Sequence, residues 1–202
     1  MAQSHSNSSK KEQAKSVKTY FDAPVIQEIV EAVLEIDKYH CVIGPEQIKE
    51  LRQRAEAGDY VAKLTLQKLV EKYGSLASHL DNCFMRFDIE GTSYGIIFSR
   101  TLYSAIKVAL GLAGKEWESP FTVSNVLIPE DKMTIKSFCE ITKQGQKTII
   151  HYEIALPGRY PFKIIVTKKD EFEQLKQRLN GLTILLGRRK KEGFGLCHIY
   201  LR

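Results

Sequence analysis

The segment DEFEQLKQRLNGLTILLGRRKKEGFGLCHIYL (residues 170–201) passes from a helix pattern to a strand pattern through a loop that carries four consecutive cations. Asp170 opens the helix, Glu173 completes a capping box, and Phe172, Leu175, Leu179 and Leu182 form an apolar stripe at helical spacing. GLCHIYL then reads as a closing strand. In the loop between them, Gly187, Gly193 and Gly195 remove side chains where a backbone could lie against a ligand, and their amides can point at phosphate oxygens. Arg188, Arg189, Lys190 and Lys191 add charge of the matching sign, and Phe194 offers a face on which a base could stack, worth ~1–3 kcal/mol. A solvated turn in which Gly193 and Gly195 supply positive φ would have the same composition.

Upstream of this segment the pattern is rich in strands. CFMRFDIEG alternates as a half-buried strand does, and TSYGIIF follows it. SRTLYSAIKVALGLAG reads as a helix capped by Ser99 or Thr101, with Leu102, Ile106, Ala109 and Leu110 on one face. FTVSNVLIP, MTIKSFCEITK, QKTIIHYEIALP and YPFKIIVTK are four further strand runs separated by turn signals. From residue 83 the order is therefore β, α, several β, α, β. This layout approaches the split βαβ of a ferredoxin-like fold with a β-rich insertion, an α+β class.

The N-terminal part has a different character. Residues 1 to 19 are Ser, Gln and Lys with almost nothing to bury and are expected to be a disordered tail. Residues 20 to 82 read as a small α-helical module of three helices. The first is capped by Asp22 with Pro24 in its opening turn, and its stripe is Val25, Ile26, Ile29, Val30, Val33 and Leu34. The second starts near Pro45 with Ile48, Leu51 and Ala55 inward. The third runs from Asp59 to Gly74 with Tyr60, Leu64, Val70 and Tyr73 buried. Residues 83 to 202 form the second expected unit. The charge divides the same way: residues 1 to 82 carry 11 Lys/Arg and 12 Asp/Glu, whereas residues 83 to 202 carry 19 and 12. A basic C-terminal part attracts phosphate polyanions.

Other classes are disfavoured. No run approaches ~18 apolar residues and the N-terminus lacks a signal-peptide core, so no membrane partner is expected and the chain is read as cytoplasmic. Cys41, Cys83, Cys139 and Cys197 are scattered, with no Cys-x-x-Cys and no histidine at zinc spacing, so neither a metal nor a cofactor is expected.

IIHYEIALPGRYPFKIIV followed by the segment of residues 170–201 resembles the C-terminal half of the RAMP superfamily of CRISPR-associated proteins, and especially the backbone subunits of type III effector complexes. The shared elements are Tyr152-Glu153, Gly158 with Phe162, the helix from Asp170, and the Leu-Gly-basic-basic-x-x-Gly-Phe-Gly loop of residues 186–195. FSRTLYSAIKVAL is similar to the family's Ser-x-Leu-x-x-x-Lys/Arg helix, and PFTVSNVLIPED to its Phe-x-Ser-Asp-Ala strand, with Asn125 where an acid is usual. The resemblance covers residues 84 to 202. It implies a guide-RNA-binding subunit of a CRISPR effector ribonucleoprotein, with target RNA and the other effector subunits as further partners. The RNA-binding residues it implies are Ser99, Arg100 and Lys107 on the first helix together with Gly187, Arg188, Arg189, Lys190, Lys191, Gly193, Phe194 and Gly195 in the loop.

Two departures from that family count against target cleavage and suggest a specialised or accessory subunit. The helical module before residue 82 is not part of the family's usual core, and the place of its cleaving aspartate differs. Only Asp88 and Glu90 lie near the place of the family's cleaving aspartate, and they read as strand residues, so no catalytic residue is assigned. The superfamily's guide-processing ribonucleases use His and Tyr, which leaves His198 with Tyr200 or Tyr152 as a metal-independent endoribonuclease alternative. A third alternative is a protein-interaction or accessory subunit that docks through the N-terminal helices.

Overall fold

The computed structural model describes residues 25–112, 114, 119–141 and 145–202. The expected tail, and Asp22 with Pro24, lie outside the described residues. Within them the chain is α+β, with four α-helices and mostly antiparallel sheets.

The first element corrects the sequence reading. Residues Glu28–Ile36 form a strand, β1, and not a helix. Val30, Ala32, Leu34 and Ile36 alternate into the core, while Ile29 is 53% exposed. Val33 is also buried, on the opposite face, which breaks the clean period of two. The resulting apolar cluster fits 3.6-residue and two-residue spacing alike, and the β-branched Ile29, Val30, Val33 and Ile36 pack better on a pleated surface.

After β1 the chain makes two short strands, β2 (Val42–Ile43) and β3 (Glu46–Gln47), and then α1 (Ile48–Glu56) and α2 (Tyr60–Tyr73). Asp59 caps α2 by accepting from the Ala62 N–H, and Gly74 ends it at φ 58°, both as read from the sequence. The buried face differs from expectation. Ala62, Thr65 and Leu69 point inward, whereas Tyr60 and Val70 are exposed. Next come β4 (Leu80–Cys83), β5 (Met85–Ile89), β6 (Thr92–Ile97), α3 (Ser99–Ala109), β7 (Phe121–Val123) and β8 (Val126–Pro129). A long hairpin follows, β9 (Met133–Ile141) with β10 (Lys147–Ala155), then β11 (Gly158–Val166), α4 (Lys169–Leu179), β12 (Leu182–Leu185) and β13 (Leu196–Leu201). The expected Asp170 capping box is absent: Lys168 is the N-cap without a side-chain bond, and the Lys169 N–H donates to Gln27 Oε1 instead.

The central sheet has the order β12-β13-β1-β11-β7, all pairs antiparallel. β1 therefore sits in the middle of a sheet whose other strands come from residues 121 to 201. The change of pattern at residue 82 does not separate them. The strand of residues 84 to 89, expected to open this layout, instead joins β6 and β8 in a separate three-stranded sheet. One face of the central sheet carries Leu34, Ile36, Phe162, Ile164, Cys197 and Ile199 against Leu102 and Ile106 of α3 and Phe172 and Leu179 of α4. Each such side chain contributes about 1.5–3 kcal/mol of burial.

Residues 37 to 98 depart from the central sheet and return to it at α3. A buried ion pair pins them in place: Arg86 of β5 and Glu153 of β10 are both fully buried and joined through two guanidinium nitrogens. Glu153 also accepts from Tyr73 Oη of α2 at 2.7 Å and from the Phe84 N–H at 3.0 Å. Burial, reinforced by that carboxylate, pushes the Tyr73 phenol far above its ordinary pKa, so it remains a donor.

Candidate nucleic-acid interface

The loop of residues 187–195 closes on itself. The Leu186 N–H donates to Gly195 O, and the Gly195 N–H donates to Cys41 O, both at 2.9 Å. Gly187 and Gly195 have φ of 74° and 80°, and a Cβ would stand 2.6 Å from Ile43 O in the first case and 1.8 Å from Leu186 O in the second. The close approach that these two glycines permit is thus to the chain's own backbone. Gly193, at φ 87°, has nothing within 4 Å of a built Cβ. Gly195→Ala should therefore cost about 3 kcal/mol by forcing the backbone apart, and Gly193→Ala about 1 kcal/mol from its φ alone. Chemical denaturation of the two variants checks the contrast, and equal losses would contradict it.

The four cations divide by role. Arg188, Lys190 and Lys191 are exposed. Arg189 is only 16% exposed and adopts φ 56°. It pairs with Glu140 at 2.7 Å and Glu192 at 2.8 Å, with its guanidinium 4.8 Å from the Phe138 ring centroid and 5.5 Å from that of Tyr152. Arg189 therefore fastens the loop to the β9–β10 hairpin. Phe194 has a structural part as well. It is half-buried, edge-on to Phe138 at 5.2 Å, and belongs to the cluster of Ile43, Tyr152 and Ile154, so its ring is not an open stacking face.

A groove of about 720 Å³ runs between α3 and β12 with the start of the loop. Arg100, Ser104 and Val108 line one wall, and Leu185, Arg188 and Lys190 the other. The expected partners Arg100 and the loop cations, distant in sequence, thus meet along one channel. Lys107 does not line it, since its ammonium lies 6.0 Å from the Tyr103 ring centroid. Ser99 does not cap α3 with its side chain. Phe98 is the N-cap, and the Ser99 N–H donates to Asn125 Oδ1 at 2.8 Å. The amide at position 125 supplies the acceptor that an acid would, and thereby sets the start of the helix that carries Arg100. Asn125→Ala should cost about 1 kcal/mol, within the range for lost helix caps, with a matching fall in thermal midpoint.

Of the residues of the ribonuclease alternative, His198 and Tyr200 are brought together and Tyr152 is apart. His198 and Tyr200 share the face of β13 turned away from the helices, with ring centroids 6.4 Å apart, and Thr183 Oγ1 lies 3.1 Å from His198 Nδ1. Tyr152 is buried in the β9–β10 sheet under Arg189, where burial raises its phenol pKa. Asp88 lies 3.7 Å from Lys68 of α2, and Glu90 with Gly91 forms the β5–β6 turn at φ 49° and 78°.

The arrangement suits an extended polyanion: a channel with cations on both walls and small or apolar groups between them. Asn125 as a remote cap, and Arg189 as an anchor, carry no signal in spacing or composition. No protein-family model matches the chain, and no curated protein matches it.

Proposed function

We propose that this chain is an RNA-binding subunit of a CRISPR effector ribonucleoprotein of the type III kind, holding guide RNA by its backbone and packing against neighbouring subunits. The observation that carries the reading is the groove in which Arg100 of the Ser-x-Leu helix faces Arg188 and Lys190 of the glycine-rich loop. The strand order supports it further. Taking β1, α3, β7, β11, α4 and β13 in turn, the strands lie in the order fourth, first, third, second, the order that a split βαβ, ferredoxin-like reading calls for. On this assignment residues 37 to 98 and the β8–β10 region are insertions, and α1 and α2 belong to the first of them. A cytoplasmic location accompanies the reading, and no catalytic residue is assigned.

Phosphate contacts of this kind carry affinity without sequence information. The purified chain should bind single-stranded RNAs of unrelated sequence alike, with the logarithm of affinity falling linearly in the logarithm of salt. Fluorescence anisotropy over a salt series tests this. No binding at low salt, or binding insensitive to salt, would overturn it.

A further inference from the structure

β9 is an edge strand of nine residues. It pairs with β10 from Met133↔Ala155 to Ile141↔Lys147 and with no other strand among the described residues. β4 and β2 reach β10 only from His151 onward, so the outer part of the hairpin is a two-stranded ribbon. Such a ribbon is marginally stable alone, and a long edge without proline or bulge is a template for another strand. Two large apolar side chains stand out on one face: Ile141 is 70% and Ile149 66% exposed, on the same side as Cys139.

The opposite face carries Lys136, Phe138 and Glu140 at alternate positions. Lys136 lies 5.7 Å from the Phe138 ring centroid and 5.1 Å from that of Phe194, and makes no ion pair among the described residues. Glu140 is held by Arg189 through one oxygen, Oε1. Reading the strand against an inverted copy of itself, an axis through Phe138 sets Lys136 opposite Glu140 twice, Phe138 opposite Phe138, and Ile135 opposite Ile141. An axis through Ser137 or Cys139 puts a charge opposite Phe138, and an axis through Lys136 or Glu140 sets like charges together. Cross-strand opposite charges stabilise and like charges destabilise, so one register stands out.

We propose that β9 pairs with β9 of a second copy of this chain, antiparallel about a two-fold axis at Phe138, so that the two hairpins join in one continuous sheet across the dimer. The interface is isologous and closes at two copies. It does not rest on the RNA-binding reading. It uses the outer edge of the hairpin, and none of its pairing residues lines the groove.

Sedimentation velocity on the full chain over a concentration series should show a monomer–dimer equilibrium. Lys136→Glu and Glu140→Lys should each raise the dimer dissociation constant roughly tenfold or more by placing like charges opposite twice. An equimolar mixture of the two variants should recover the wild-type constant, because every facing pair is then complementary. That recovery separates the interface from any effect of losing the Arg189 contact. Ser137→Cys should in addition give a disulfide-linked dimer with native Cys139 under mild oxidation, since the register sets the two positions opposite one another. A wild-type chain that stays monomeric, a mixture that associates no better than either variant alone, or no cross-link at Ser137 would overturn the proposal.

Discussion

Replacing Glu153 with alanine should remove about 3–5 kcal/mol of stability, because it leaves a buried charge unpaired. The carboxylate is fully buried and has three protein partners: the Arg86 guanidinium, the Tyr73 hydroxyl and the Phe84 N–H. Removing it leaves a buried cation with only Glu130 nearby, at 3.7 Å, and strands two further donors. Against a total of about 5–15 kcal/mol for an ordinary domain, the variant should approach half-unfolded at moderate temperature. Tyr73→Phe removes one neutral donor and should cost about 1 kcal/mol. Arg86→Ala/Glu153→Ala should cost clearly less than the sum of its parts, because neither charge is then left alone. Urea denaturation measures all three effects, and a Glu153→Ala loss near 1 kcal/mol would show that the pair does not hold residues 37 to 98 in place.

On the RNA-binding reading, Arg100→Ala/Arg188→Ala/Lys190→Ala should reduce the slope of log affinity against log salt by about 2, at about 0.7 per single-strand phosphate contact. The loss should be the same for every RNA sequence. Folding should be unaffected, since Arg100, Arg188 and Lys190 are exposed and make no ion pair among the described residues. Arg189→Ala should behave in the opposite way, lowering stability through its lost contacts to Glu140, Glu192 and Phe138 while changing the slope little. Anisotropy titrations at several salt concentrations, with a melting curve for each variant, distinguish the two. An unchanged slope in the triple variant would take the groove out of RNA binding.

Most element types were legible from pattern. The two strands of the β9–β10 hairpin, the caps of α2, most of the α3 and α4 stripes and the closing strand declare themselves through turn residues and periodicity. Ala109 of the α3 stripe is exposed, however, and Leu182, expected on the α4 stripe, instead opens β12, a strand formed only by pairing with β13. β1 does not declare itself. Val30, Val33 and Leu34 satisfy two periods at once, and the choice between them rests on β11 and β13, more than 120 residues away, which supply the backbone hydrogen bonds. Reading β1 as a helix is also what sets residues 20 to 82 apart as a helical module.

The candidate site divides along the same line. The residue types of the loop are properties of the sequence alone: glycines at Gly187, Gly193 and Gly195, four consecutive cations between them, and Phe194. Which of those residues face outward is not. Arg188 and Lys190 reach the groove while Arg189 turns under to Glu140, and Gly187 and Gly195 are required by Ile43 and Leu186, because those partners come from other turns of the chain. A side chain's chemistry is local, whereas its burial and partners are set by packing between segments far apart in sequence. For that reason the class of fold and the candidate segments could be read in advance, and the place of β1, the Arg86–Glu153 pin and the division of labour within the loop were decided only by the tertiary structure.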